Sequence, residues 1–479
     1  MKLAELDPAS RTPLYEQLKE ALVAAILEGR FGTDGQLPTE HDLCEQLGIS
    51  RNPVHRALAE LFDEGVIIRQ RRRGTFVNPA WITRQLSDAR VRVTVPTEEW
   101  ANVVRSISPA EIILDVQVVP FTELHRHVLA AVAAGEAPDL AVLDSVWVPQ
   151  LAALDALHPV DSLDPEWVET TYRADVARAF IEATSHEGHI VAVQAEADVA
   201  GLWYDRESMA RVGFVHAPAT LRELRQAARA CLDAFGHPPI AVPAGPDAAE
   251  TATYVLHGWL CAHGASVIEH EQVVLAEPPA VRAVRALSSL VKDGLIDAAS
   301  AGWGRTEALE SLVSGLSQMA LGGSYDLAAL ARLTGLSPAQ VLDRFGFAPL
   351  PSGTEAGSKV LAGGLAYAVF RQARQPHLAM RIVRRLMEAT VQLTVADTTG
   401  QLPSRVSVAS VLERGSGFLH DVARLLPEAT TRPAVPEYER VSVQLRHLLA
   451  GVVSGGSVPR EVRRAAEGVA AVTGLELAS

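Results

Sequence analysis

Apolar positions recur every three or four residues through Tyr15, Leu18, Leu22 and Ile26, a spacing that predicts a helix with one buried face. Thr12-Pro13 just ahead supplies an N-cap oxygen and a proline at the first helical position, where its missing N–H costs nothing. Leu37-Pro38-Thr39-Glu40 caps a second, shorter helix with Leu43 and Leu47 inward, and Gly48 permits a tight turn. Ser50 opens a third helix with the stripe Val54, Leu58 and Leu61. Pro53 falls in its first turn, where no intrahelical bond is lost. Residues 65–68 and 74–77 read as two strands around a turn at 69–73. Beyond residue 90 the pattern changes. Strands at 91–95, 112–119 and 140–143 alternate with helical stretches at 121–134 and 148–157, which predicts an α/β architecture with largely parallel sheets. Roughly 390 residues exceed one hydrophobic core and should split into two lobes. The polar, aperiodic stretch 78–90 sets the boundaries: a head at 1–79, a linker at 80–90 and a second unit at 91–479.

Composition narrows the class. Among 479 residues 48% are apolar and 21% charged, so wholesale disorder is excluded. The longest uncharged apolar run, 360–370, is shorter than the ~18 residues that a membrane span needs. Acids at Glu5 and Asp7 stand where a secretory signal has its apolar core, so a cytoplasmic location without membrane association is expected. Cys44, Cys231 and Cys261 are scattered, fit reduced thiols and offer no zinc spacing. Net charge is −14 and uneven: residues 1–84 hold 11 Lys+Arg against 12 Asp+Glu, whereas 85–479 hold 32 against 45. Lys occurs only at 2, 19, 292 and 359, so Arg is a habit of the whole chain and only its clustering informs. Arg51, Arg56, Arg69, Arg71, Arg72 and Arg73 form such a cluster.

Two short helices joined through Gly, the second with Arg at its start, are the layout of a helix-turn-helix. The buried stripe leaves Arg51, Asn52, His55 and Arg56 on the free face, and Arg and Asn suit the edges of guanine and adenine. The hairpin after it is a wing whose basic tip can reach phosphate or minor groove. A solvated charged surface is the plain alternative. The segment LPTEHDLCEQLGISRNPVHRALAELFDEGVIIRQRRRGTFV resembles the GntR-type winged-helix DNA-binding domain over about seventy residues. It departs from that family's usual Arg, Thr and Gly at His41, Pro53 and Arg72. The resemblance implies double-stranded operator DNA as partner, a homodimer, and contacts from Thr39, Ser50, Arg51, Asn52, His55, Arg56, Arg71, Arg72, Arg73, Gly74 and Thr75.

Enzyme signatures are mostly missing from the second unit. There is no phosphate loop and no nucleophile elbow, and Gly302-Trp303-Gly304 lacks the third glycine of a dinucleotide fingerprint. The pairs His186/His189 and His125/His127 lack the spacing or the third ligand of a metal site, so no metal is assigned. Ser358-Lys359-Val360-Leu361-Ala362-Gly363-Gly364 resembles the segment around the Schiff-base lysine of fold-type I aminotransferases. That makes an aminotransferase-like regulator using Lys359 the alternative reading, although the other residues that hold pyridoxal phosphate are not found.

A broader resemblance covers nearly the whole unit. GEAPDLAVLDSVWVPQLAALDALHPVD and GHIVAVQAEADVAGLWYDRESMARVGFVHAPATLREL are similar to family 1 extracellular solute-binding proteins, the periplasmic sugar-binding type. SLVSGLSQMALGGSYDL, FGFAPLPSG, VLAGGLAYAV, GQLPSR and RPAVPEYERVSVQLRHLLAG follow in that family's order. Gln194 and Leu221 replace its usual Pro and Trp. The resemblance implies a two-lobed α/β domain, no cofactor, no catalysis, and a small solute, a sugar above all, between the lobes. Sugars stack apolar faces on aromatic rings and need carboxylates, amides or Arg for their hydroxyls. Trp147, Trp303 and Tyr325 are therefore candidates for stacking, and Asp144, Glu196, Asp198, Ser324, Gly363 and Arg405 for the rest of the cleft. Each has burial in a lobe core as its plain alternative, which is the reading given to Trp203, Tyr204 and Trp259. Together these features predict a one-component regulator, a winged helix controlled by a solute-binding domain.

Overall fold

The computed structural model describes residues 6, 12–27, 30–31, 35–70, 73–82, 90–109, 112–353, 359–413 and 417–478. Arg71 and Arg72, Ser358 and most of the expected linker (83–89) lie outside them.

The head comprises α1 (Leu14–Leu27), α2 (Glu40–Leu47), α3 (Arg51–Asp63), β1 (Ile67–Gln70) and β2 (Gly74–Val77). Leu18, Leu22, Leu43, Val54, Leu61 and Ile67 are almost wholly buried and form its core, as the helical spacing requires. Thr39 caps α2 in a reciprocal capping box with Asp42, and Gly48 ends it at φ 65°. Ser50 has N-cap geometry for α3, but its side chain makes no capping bond. β1 and β2 pair antiparallel with Gln70 opposite Gly74. A short turn of helix at 79–82 packs Trp81 and Ile82 onto this core, so the head extends slightly past residue 79.

The second unit crosses between two lobes three times. In lobe I the chain lays down β3 (Arg90–Val95), α4 (Glu98–Ser106), β4 (Ile113–Val118), α5 (Phe121–Ala134), β5 (Leu140–Asp144) and β6 (Val193–Gln194). It crosses along the ten-residue β7 (Glu196–Asp205) into lobe II, with β8 (Ile240–Ala241), α6 (Glu250–Ala262), β9 (Met319–Gly323), α7 (Leu327–Thr334) and β10 (Phe345–Pro349). It returns through β11 (Ala362–Gly363) and β12 (Leu365–Val369) to lobe I, which it completes with α8 (Ala389–Thr399) and β13 (Leu402–Pro403). A last crossing near Arg432 leads to α9 (Tyr438–Val453) and α10 (Val458–Thr473), packed on lobe II.

The sheets are mixed, which corrects the expectation of largely parallel ones. In lobe I the order is β4-β3-β5-β12-β6. β3 runs parallel to β4 and β5, but the returning β12 runs antiparallel to β5 and β6. In lobe II β7 runs antiparallel between β9 and β10. Each reversed strand carries the chain between lobes, so its direction is set by the crossing rather than by a local βαβ unit. The helix expected at 148–157 also stops early, at Ala153. Gln194, where the resembling family has Pro, is fully buried and donates from Nε2 to the Glu196 carbonyl at 2.8 Å across the start of β7.

Leu445 on α9 is fully buried within the lobe II core. Leu445→Ala should destabilise lobe II by about 2–5 kcal/mol, the usual cost of such a cavity. A urea-midpoint shift in the unfolding of the whole chain measures it, and an unchanged midpoint would mean that α9 is not part of this core.

Candidate functional site

The strand ends converge on the gap between the lobes, where a cavity of about 260 Å³ opens. Lobe I lines it with Trp100 of α4 and with Thr399 and Gln401 beside α8. Lobe II contributes Glu250, Thr251 and Tyr254 of α6, together with Arg305 and Tyr325. The end of β5 in lobe I adds Asp144, and the crossing segments add Glu196, Asp198, Gly364 and Arg432. Glu196 and Asp198 stand two apart on β7 and so share one face of the strand.

A buried ion network forms the back of this cavity. Arg432, 6% exposed, donates to Asp144 Oδ1 at 2.9 Å and to Glu250 Oε1 at 2.8 Å. Glu250 also accepts from the Tyr438 hydroxyl at 2.5 Å and from Ser442 at 2.7 Å, which ties α9 into the network. The guanidinium of Arg432 stacks 5.1 Å from the Tyr254 ring, and the Tyr254 hydroxyl donates to Asp198. Arg305 bonds Asp326 at 2.6 Å and lies 4.9 Å over the Tyr325 ring. Tyr254 and Tyr325 meet edge to face with centroids 5.5 Å apart.

Burial pushes the Asp198 carboxyl up to about 6, against the Tyr254 hydroxyl and the charge of Arg432. Burial, reinforced by the neighbouring Asp198, holds Glu196 well above the ordinary carboxylate range. The backbone is fitted around these groups. A side chain at Gly363 would meet Arg432 Nη2 at 2.9 Å and Asp198 Oδ1 at 3.1 Å. Gly364 adopts φ 135°, and a Cβ there would lie 2.2 Å from the Glu196 carbonyl oxygen. Ala249, at the entry to α6, is held at φ 46° without being glycine, so backbone strain sits beside the cavity.

Of the residues singled out from sequence, the structure brings Asp144, Glu196, Asp198 and Tyr325 to the cavity wall. Gly363 lies directly behind it, and Ser324 accepts from the Val199 N–H at 3.1 Å, joining β7 to lobe II. Three others it does not bring there. Trp147 is buried against Phe121 and His125 and donates to Glu439 at 2.8 Å, because the short helix after β5 turns its ring inward. Trp303 packs on the lobe II cluster around Trp203. Arg405 is committed to Asp175 at 2.7 Å and to the Met387 carbonyl at 3.0 Å within lobe I. Lys359 is exposed and outside the cavity wall, which leaves the aminotransferase alternative without its central residue. Arg432, Glu250, Tyr254 and Arg305 went unnoticed in the sequence; Glu250 and Tyr254 at i and i+4 of one helix were the available signal.

In the head, Arg51 and His55 both reach Glu40 at 3.1 Å, while their side chains stay 80% and 62% exposed. Arg56 pairs with Glu60 at 3.2 Å and lies 3.5 Å over the Tyr15 ring. Asn52 is exposed beside them. At the wing, Gly74 has φ 118°, Gln36 donates to the Arg73 carbonyl at 3.1 Å, and Thr75 is half-buried. Arg30, after α1, reaches Glu166 of lobe I at 3.9 Å. Among the described residues there is no group of side chains that could hold a metal, and no helix is long and apolar enough to cross a membrane.

Two lobes joined by three crossings, with a cavity at the crossings, define a hinged solute-binding fold, here carried behind a winged-helix head. Residues 113–416 match the profile of the bacterial extracellular solute-binding proteins, and the chain belongs to that family. Residues 14–77 match the gntR family of bacterial regulatory proteins, so the head is a gntR-type domain. It is similar to the regulator YurK of Bacillus subtilis, 41% identical over 81 residues that are 17% of this chain and 34% of that protein. It is also similar to the repressor NagR of the same organism, 34% identical over 118 residues, 25% of this chain and 46% of NagR. The chain thus spans less than half the length of these relatives.

Among solved structures, the GacH receptor of Streptomyces glaucescens, described unliganded and with acarbose, superposes with a TM-score of 0.70 at 21% identity. The match covers 80% of this chain and 98% of GacH. A solute-binding protein of Thermotoga lettingae bound to α-D-tagatose gives 0.70 at 19% identity, covering 81% of this chain and all of that one. These likenesses establish the fold.

Because the folded chain raises the Asp198 pKa, protonation stabilises it. That stability is complete below about pH 4 and is lost as pH rises through about 6. A shift of this size is worth about 3 kcal/mol. Asp198→Asn should therefore gain stability over the parent chain between pH 4 and 7, measured as the difference in their melting curves. A pH-independent difference would show that the carboxyl is not so buried in solution.

Proposed function

We propose that this chain is a transcriptional regulator, a repressor, whose gntR-type head binds operator DNA and whose interlobe cavity takes a sugar that controls that binding. The observation that carries the reading is the union, on one chain, of a recognition helix with Arg51, Asn52 and His55 exposed and a solute-binding fold with an aromatic, acid-lined cavity at its hinge. A protein reading DNA in this way works in the cytoplasm without catalysis, and two copies would match a palindromic operator. The names of NagR and of an arabinose metabolism repressor from Geobacillus stearothermophilus, 39% identical over 66 residues, support the repressor sense. The acarbose and tagatose complexes of the fold neighbours support the sugar. Closing the lobes on a ligand re-aims the heads of a dimer and so changes their fit to two half-sites.

The test selects a duplex from a random pool with the full chain. Arg51→Ala should then weaken the selected duplex by about 1–3 kcal/mol while leaving random DNA unchanged, since a base contact is lost. Equal loss on both would assign Arg51 to the phosphates. A saccharide that raises the melting temperature should also release the selected duplex in a gel shift. Unaltered DNA affinity in its presence would end the claim of control.

A further inference from the structure

Glu196 and Asp198 on the cavity wall stand outside its ion pairs. Arg432 is shared between Asp144 and Glu250, and Arg305 is committed to Asp326. Glu196 and Asp198 have no ion pair among the described residues; their hydrogen bonds come from hydroxyls, and Arg432 acts on Asp198 through its charge alone. Thr399 lies 3.5 Å from Glu196 Oε2, and Tyr254 donates to Asp198. Glu196 is 4% exposed and lies on the cavity wall, so its other oxygen has no partner except what enters the cavity. Gln401, on the same wall and 8% exposed, leaves its amide oxygen without a hydrogen bond. Among the described residues Glu196 thus meets no cation and one hydroxyl at 3.5 Å, with Arg305, Arg332 and Arg432 elsewhere on the wall, while Trp100, Tyr254 and Tyr325 offer ring faces and edges.

We infer that the cavity is built for an aminated sugar, a hydroxylated ring whose protonated amine seats between Glu196 and Asp198. The inference rests on the reading of the cavity as a sugar site and names the class of sugar. A neutral sugar can supply hydroxyl donors but leaves the buried Glu196 carboxyl and the half-buried Asp198 beside it without an ion-pair partner. Such a site favours protonation of its carboxyls instead, in the direction in which burial raises Glu196 and Asp198. An ammonium supplies donors and charge together, and a charge-assisted bond is about twice as strong as a neutral one.

The experiment titrates the full chain by calorimetry with D-glucosamine and D-galactosamine, with D-glucose and D-galactose as neutral partners, and with putrescine as an amine without a ring. The expected result is that an amino sugar binds at least about tenfold more tightly than its neutral partner, a ratio equal to about 1.4 kcal/mol. In Glu196→Gln, and separately in Asp198→Asn, that ratio should fall towards one while the melting temperature shows both variants folded. Neutral hexoses binding as well as the amines would overturn the inference and leave the sugar reading standing. Putrescine binding more tightly than every sugar would overturn the ring. Silence from all five probes would count against the inference and the sugar reading together.

Discussion

The geometry of the sensor hangs on one buried cation. Arg432 lies on the last crossing and joins Asp144, at the end of a lobe I strand, to Glu250, at the start of a lobe II helix. Taking such charges out of water costs several kcal/mol per ion, and only close geometry with additional hydrogen bonds offsets it. Here Tyr438 and Ser442 complete Glu250, and the Val146 N–H, 3.2 Å away, donates to Asp144. A group of this kind does little for net stability compared with apolar packing of equal volume. What it fixes is position, because the two lobes and the C-terminal helices must all arrive for the charges to be met. The aromatic and acidic wall of the cavity is built around that fixed point, through Tyr254 stacked on the guanidinium and Gly363 closed against it.

How much of this was legible in the sequence follows the range of each interaction. Much of the head was legible, because caps and stripes are local signals acting within a few residues; Ser50 makes no capping bond, and the first wing strand runs Ile67–Gln70 instead of 65–68. Glu196 and Asp198 were legible for a similar reason, since a strand places positions two apart on one face. Arg432 was not, because its partners are 288 and 182 residues away. The aromatic candidates show the opposite limit. A glycine or aspartate next to an aromatic marks a loop, but not the side on which the ring falls, and Trp147 and Trp303 fall into lobe packing while Tyr325 reaches the cavity. Strand direction in the sheets was missed because β12 arrives between β5 and β6 from far along the chain.

Among the described residues, charged pairs bridge the head and the second unit: Arg30 faces Glu166, and Glu20 feels the charge of Arg371. The pair Arg30–Glu166 spans 3.9 Å with Glu166 mostly exposed, and surface pairs of this kind contribute at most about 1 kcal/mol. Moving DNA occupancy from about 1:99 to 99:1 takes about 5.5 kcal/mol of differential affinity. Under the proposed function that difference exceeds what a single surface pair of this kind contributes.

The threefold crossing also orders events during synthesis. The head is contiguous, with every element of its core inside residues 14–82, and can fold as soon as that stretch clears the ribosome. Lobe I cannot close its sheet until β12 has emerged, and the network around the hinge waits for Arg432 and then Tyr438. For most of its translation the nascent chain therefore carries a finished head ahead of an unfinished two-lobed unit. A chain interrupted anywhere in that interval would carry a folded head without the network that fixes the cavity.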